Sequence, residues 1–159
     1  MNNILFCSVG RRCILLKDIK RTVGSFGNII ATDCNPLAPA LAFADKIYVV
    51  PRISDPKYIS IIADICEKEN IKAILTLIDP EIELLSKNRD YFESKNILVL
   101  VPSLKTSQLC FNKYEMYKYL QKKGIPTIQT FIPSNFLNAY NDRIIKFPVI
   151  VCFCGNKSL

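Results

Sequence analysis

The sequence contains no histidine, and zinc sites without one are built from clustered cysteines at suitable spacing. Cys152-Phe153-Cys154 stands too close for a normal zinc pair, so no structural metal site is expected. No apolar run is long enough to span a bilayer, and Met1-Asn2-Asn3 leads straight into a short strand instead of a basic and then apolar leader. A cytoplasmic protein without a membrane partner is the expectation. There is no arginine-rich block either. The +7 net charge comes from lysines scattered among acids along helical segments (Lys17, Lys68, Lys72, Lys87, Lys118, Lys122), which reads as solvated faces and not as a nucleic-acid surface. The seven cysteines sit mostly inside apolar runs (Cys7, Cys13, Cys34, Cys66, Cys110), the pattern of reduced, buried thiols.

What is present is an alternation. The apolar runs 4–7, 29–33, 46–50, 72–78 and 97–101 read as strands, and the segments between them carry helical spacing or helix-start signals. The first helix is expected over 11–22, with Ile14, Leu15 and Ile19 inward, and another follows Asp55-Pro56, with Tyr58, Ile61, Ile62, Ile65 and Cys66 inward. The near-continuous apolar run 72–78 is that of a central parallel strand covered on both faces. These features predict an α/β fold with a doubly wound, Rossmann-like parallel sheet over 1–111. Residues 112–159 then form a linker helix closed by Gly124, with further strands at 126–131 and 147–151.

Ligands of open parallel sheets bind beyond the carboxyl ends of the strands. The polar residues there are Ser8, Gly10 and Arg11 after the first strand, Asp33 and Asn35 after the second, and Asp79 and Glu81 after the fourth. The loop Ser8-Val9-Gly10-Arg11-Arg12 opens a helix, where unpaired N–H groups and two guanidinium groups would attract an anion. Equally, the arginines could be solvated charges, Gly10 a tight-turn glycine and Asp79 a helix cap. A G-x-G-x-x-G dinucleotide fingerprint is not met, because its positions read Ser8, Gly10 and Cys13. Asp33 does stand where such proteins hold a ribose, so a stand-alone dinucleotide-binding module remains the alternative.

Several phrases carry a resemblance when taken together: the run from Ile4 to Arg12, Ala31-Thr32-Asp33, Ala38-Pro39-Ala40 through Ala44-Asp45-Lys46, Ile53-Ser54-Asp55-Pro56, and Leu77-Ile78-Asp79-Pro80-Glu81-Ile82-Glu83-Leu84-Leu85. They resemble the N-terminal, pre-ATP-grasp domain of ATP-grasp ligases, in the carbamoyl-phosphate-synthase-like group that includes the pyrrolysine-biosynthesis ligase. Asn112-Lys113-Tyr114 through Gly124-Ile125-Pro126 is similar to that family's junction into the ATP-grasp fold, with Asn where Asp is usual. The resemblance implies that a full-length relative uses ATP and magnesium to activate a carboxylate, which an amine or ammonia then attacks. It also implies that Glu81 offers its carboxylate to a substrate amine.

The family's lysine-bearing triplet after a strand like 147–151 is replaced here by Cys152-Phe153-Cys154, with five residues following. A thiol does not substitute for an ammonium against a triphosphate. The expectation is therefore a substrate-side domain with a truncated start of the ATP-grasp fold, not catalytic alone and holding no cofactor itself. Its ligand would be an amino acid or another carboxylate or amine. A separate ATP-grasp chain or a second copy would be its macromolecular partner, and an assembly role in a split ligase is a further alternative.

Overall fold

The computed structural model describes residues 2–151, so the Cys152-Phe153-Cys154 segment lies outside the described residues. The chain forms two compact units, Met1–Leu104 and Lys105–Leu159. The sequence-based boundary after Phe111 stands one short helix further along.

The first unit is built on five parallel strands: β1 (Asn3–Cys7), β2 (Ile29–Asp33), β3 (Lys46–Val49), β4 (Ile71–Thr76) and β5 (Leu98–Val99). Their order across the sheet is β3-β2-β1-β4-β5, so the α/β doubly wound parallel sheet expected from the alternation is what forms. Strand side chains alternate between faces, and β1 shows the consequence. Leu5 and Cys7 enter one core layer with Ile30, Ile74 and the helices α2 (Tyr58–Lys68), α3 (Asp79–Lys87) and α4 (Arg89–Glu93), through Tyr58, Ile62, Cys66, Leu85 and Phe92. Phe6 enters the other layer with Ile29, Ala31, Leu16 of α1 (Cys13–Val23), and Ala40 and Leu41 of a 3-10 turn over Pro39–Phe43.

The phase of α1 differs from expectation. Ile14 and Leu15 face solvent, at 76 and 39 % exposure, while Leu16 is fully buried and Cys13, Ile19 and Val23 pack beside it. Three consecutive apolar residues leave the buried stripe ambiguous by one position; the helix start at Cys13 selects the one that continues at three- and four-residue steps.

Opposite the candidate site, Glu69, just past the end of α2, ties β1 and β3 together. Its carboxylate pairs with Lys46 at 2.6 Å and accepts from the Tyr48 hydroxyl, and its carbonyl accepts from Asn3 Nδ2 at 2.6 Å.

In the second unit, α5 (Leu104–Phe111), which starts at the boundary, is followed by α6 (Lys113–Lys122) and α7 (Pro133–Asn141). Asn112 caps α6, its side-chain oxygen accepting from the N–H groups of Tyr114 and Glu115 at 3.1 Å. The amide oxygen thus does the capping work that an aspartate would do. Gly124, at φ +68°, closes the helix as expected. The strands expected at 126–131 and 147–151 do not form within the described residues, because an extended segment needs a neighbouring strand to take its N–H and C=O groups.

Glu69 gives a pH test. Hydrogen bonds from Lys46 and Tyr48 hold its carboxyl below the usual glutamate range, so the stability it contributes is complete above the unfolded-state pKa and disappears as pH falls through the folded one. Glu69→Gln is expected to lower the urea midpoint at pH 7, with the gap to the wild-type protein narrowing at pH 3.

Candidate functional site at the switch point of the sheet

The strand order reverses direction between β1 and β4. The chain leaves β1 for α1 on one face and leaves β4 for α3 on the other, which opens a crevice at the carboxyl ends of these neighbouring strands. The β1 loop runs through two left-handed residues, Ser8 at φ 49° and Gly10 at φ 54°. Only at Gly10 is the conformation free of cost.

The loop is not the open anion cradle that its sequence suggests. Val9 N–H donates to Thr32 O at 3.2 Å, Gly10 N–H to Asp33 Oδ2 at 2.8 Å, Arg12 N–H to Val9 O at 3.2 Å and Cys13 N–H to Arg11 O at 2.9 Å. Asp33, 8 % exposed, uses its other oxygen on Asn35 N–H at 2.8 Å. Its carboxylate occupies the Gly10 N–H that a bound phosphate would need. Asn35 is exposed and turns its side-chain oxygen to Leu37 N–H at 2.9 Å. Ala40 N–H donates to Gly10 O at 3.1 Å, fastening the loop from the other side.

Of the two arginines, Arg11 is exposed and Arg12 is half-buried. Arg12 Nη2 donates to Leu77 O at 2.7 Å and Nη1 to Ser8 O at 3.4 Å, so one guanidinium spans the crevice from the β1 loop to the β4 loop.

The acids after β4 are separated by a turn of backbone. Asp79, the first residue of α3, is exposed, while Glu81 is fully buried. Glu81 accepts from the Tyr58 hydroxyl on one oxygen and from the Thr76 hydroxyl on the other. Its N-terminal helix position supplies a favourable dipole. Cys7 and Thr76 are register partners on β1 and β4, which places the Cys7 thiol beside this group. Burial, and then the Glu81 charge, push the thiol well above its ordinary value. Burial also raises the Tyr58 phenol, with Cys7 and Glu81 adding to it, and pushes the Cys66 thiol up to about 12.

Of the seven expected site residues, Ser8, Gly10, Arg11, Asp79 and Glu81 thus stand on the two loops of the crevice. Asp33 braces the β1 loop from the end of β2, whereas Asn35, in the turn after it, bonds to Asp33, Leu37 and Ala38. Sequence reasoning gave Arg12 little weight and did not mark Tyr58 or Thr76. The only signal for Thr76 was a hydroxyl at the end of an apolar strand, and Tyr58 read simply as core.

The class defined by this fold is the doubly wound parallel α/β domain. Residues 4–100, more than half of the chain, match the family described as PylC-like, N-terminal domain, and the chain belongs to that family. No curated protein matches it. Among solved structures it is similar to N5-carboxyaminoimidazole ribonucleotide synthetase from Thermotoga maritima, at 17 % identity and TM-score 0.62 over 89 % of this chain and 36 % of that one. It is also similar to an L-amino acid ligase from Bacillus licheniformis, at 13 % identity and TM-score 0.60 over 80 % and 31 %. A third likeness is to the biotin carboxylase domain of Hydrogenobacter thermophilus 2-oxoglutarate carboxylase, a dimer in complex with MgADP, ADP and bicarbonate, at 17 % identity and TM-score 0.60 over 92 % and 33 %. At these identities the likeness is one of fold, and the chain spans about a third of the length of each protein. The expected pre-ATP-grasp architecture is the one observed.

Two outcomes follow from the buried group. Tyr58→Phe removes a donor from a buried carboxylate and is expected to destabilise the first unit by about 1–3 kcal/mol, read from urea unfolding. Iodoacetamide at pH 8 should alkylate the exposed Cys34 and Cys110 of the native protein, with Cys7 and Cys66 labelled only after unfolding, as peptide mass mapping would show.

Proposed function

We propose that this chain is the substrate-side N-terminal domain of an ATP-grasp carboxylate–amine ligase and that its crevice binds a small molecule carrying a carboxylate and an amine, an amino acid being the simplest case. The observation that carries this reading is the pairing of opposite charges across the switch point: guanidinium groups on the β1 loop and the exposed Asp79 carboxylate at the β4 loop. An ammonium ion near Asp79 gains a charge-assisted hydrogen bond, and a carboxylate near an arginine gains another. Family membership supports the ligase class.

Glu81 enters this reading with a condition. To meet a substrate amine it must release Tyr58 and Thr76, so its carboxylate serves the ligand only in a second side-chain arrangement. Asp79 needs no such change.

ATP and magnesium belong to the proposed reaction, where together they would activate the carboxylate as an acyl phosphate. The described residues do not fit either one. The Val9, Gly10, Arg12 and Cys13 amides are already bonded within the protein, and no three His, Cys, Asp or Glu side chains converge among the described residues. The nucleotide chemistry is accordingly assigned to protein outside these residues, whether in the same polypeptide or in a partner chain, and this chain alone is not catalytic.

Isothermal titration tests both halves of the proposal. At least one of the common amino acids is expected to bind the isolated chain, while ATP with magnesium is not. Micromolar affinity for ATP, or magnesium-dependent ADP release stimulated by an amino acid, would overturn it.

A further inference from the structure

We propose that Arg12 is the carboxylate anchor of the crevice and that it takes the ligand's anionic group from a position fixed in advance by two main-chain carbonyls. This rests on the carboxylate-binding function proposed above and assigns a residue to it.

Where neighbouring parallel strands part to opposite faces, the carbonyls just beyond their ends have no strand neighbour to pair with. Ser8 O and Leu77 O are the two carbonyls in that position, one on each side of the crevice, and Arg12 Nη1 and Nη2 reach them at 3.4 and 2.7 Å. The guanidinium therefore lies across the crevice between the two loops. A methyl group built on Gly10 would meet Nη1 at 3.5 Å, so the loop backbone also packs against it.

A guanidinium group carries five N–H donors in a rigid plane. The two carbonyls take two of them, and no other hydrogen bond or ion pair of Arg12 occurs among the described residues. No carboxylate among the described residues neutralises it. A half-buried cation with donors to spare, held in one orientation, forfeits little side-chain freedom when an anion arrives. Arg11 differs in each respect, being exposed and unanchored. The same carbonyl contacts let Arg12 set the separation of the β1 and β4 loops, and hence where Asp79 stands relative to the anion. A lysine has a single nitrogen and cannot span two carbonyls while presenting a planar face to a carboxylate.

The test compares each amino acid that binds the wild-type chain with its carboxamide, which keeps the amine and loses the anionic charge. Isothermal titration should give the acid an advantage of about tenfold or more over the amide. Arg12→Ala should reduce that ratio to near one, and Arg12→Lys should reduce it substantially while retaining the wild-type thermal transition more closely. Retention of the full ratio by a folded Arg12→Lys or Arg12→Ala protein overturns the assignment, as does its collapse in Arg11→Ala with Arg12→Ala unaffected. If none of the amino acids binds, the amino-acid reading fails while the anchor is still decided by a second probe. Sodium acetate, titrated against sodium chloride at equal ionic strength, should shift the Arg12 Nε–H resonance in the wild-type spectrum, and an unmoved resonance refutes the anchor.

Discussion

The arrangement of this domain depends on how the polar backbone groups are satisfied where its sheet ends. Inside a parallel sheet each strand supplies its neighbours with hydrogen-bond partners, but beyond the last paired residue that supply stops. At the switch point the shortage is greatest, because the chains leaving β1 and β4 turn to opposite faces. Two charged side chains make up the difference. Asp33 accepts from the N–H groups of Gly10 and Asn35, and Arg12 donates to the carbonyls of Ser8 and Leu77. The anion takes the orphaned donors and the cation takes the orphaned acceptors. The β1 loop is thereby fixed on both sides before any ligand is considered.

This explains why the strand-end rule points to one crevice and yet gathers residues that the structure uses differently. A carboxylate at the end of a strand suits a ligand amine or hydroxyl, and it equally suits the backbone of its own loop. Sequence position does not distinguish these uses for Asp33, since the deciding contact is with Gly10, which lies far away in sequence. Arg12 draws little weight from sequence for a related reason. A cation at a helix start is unfavourable toward the dipole, but the carbonyl that repays the cost belongs to Leu77, just beyond the end of β4. Local reasoning sees the penalty and not the partner.

The fold was more legible because its signals are local and repeated. Five apolar runs separated by helix-forming segments leave few topologies other than a doubly wound sheet, and the caps at Asn112 and Gly124 act through their immediate neighbours. The failures lie where local pattern is insufficient. Ile14-Leu15-Leu16 offers more than one helical phase, and only the helix start chooses between them. The runs at 126–131 and 147–151 have β-forming composition but no neighbouring strand among the described residues. A strand is a property of a pair, and composition describes one member.

Asp79 and Glu81 bring these considerations together within three residues. Pro80 fixes the start of α3, and the first turn then sends one acid to the rim and the other beneath the sheet edge. Glu81 binds only neutral hydroxyl groups there, so it holds α3 against β4 and α2 without cancelling charge. A cationic ligand group at the rim would meet Asp79 directly and would feel Glu81 through the turn. With Arg12 across the floor of the crevice, the β4 loop presents an acid and the β1 loop a base, both carried by backbone that internal hydrogen bonds already hold. That polarity, more than any single residue, is what would orient a molecule bearing charges of both signs.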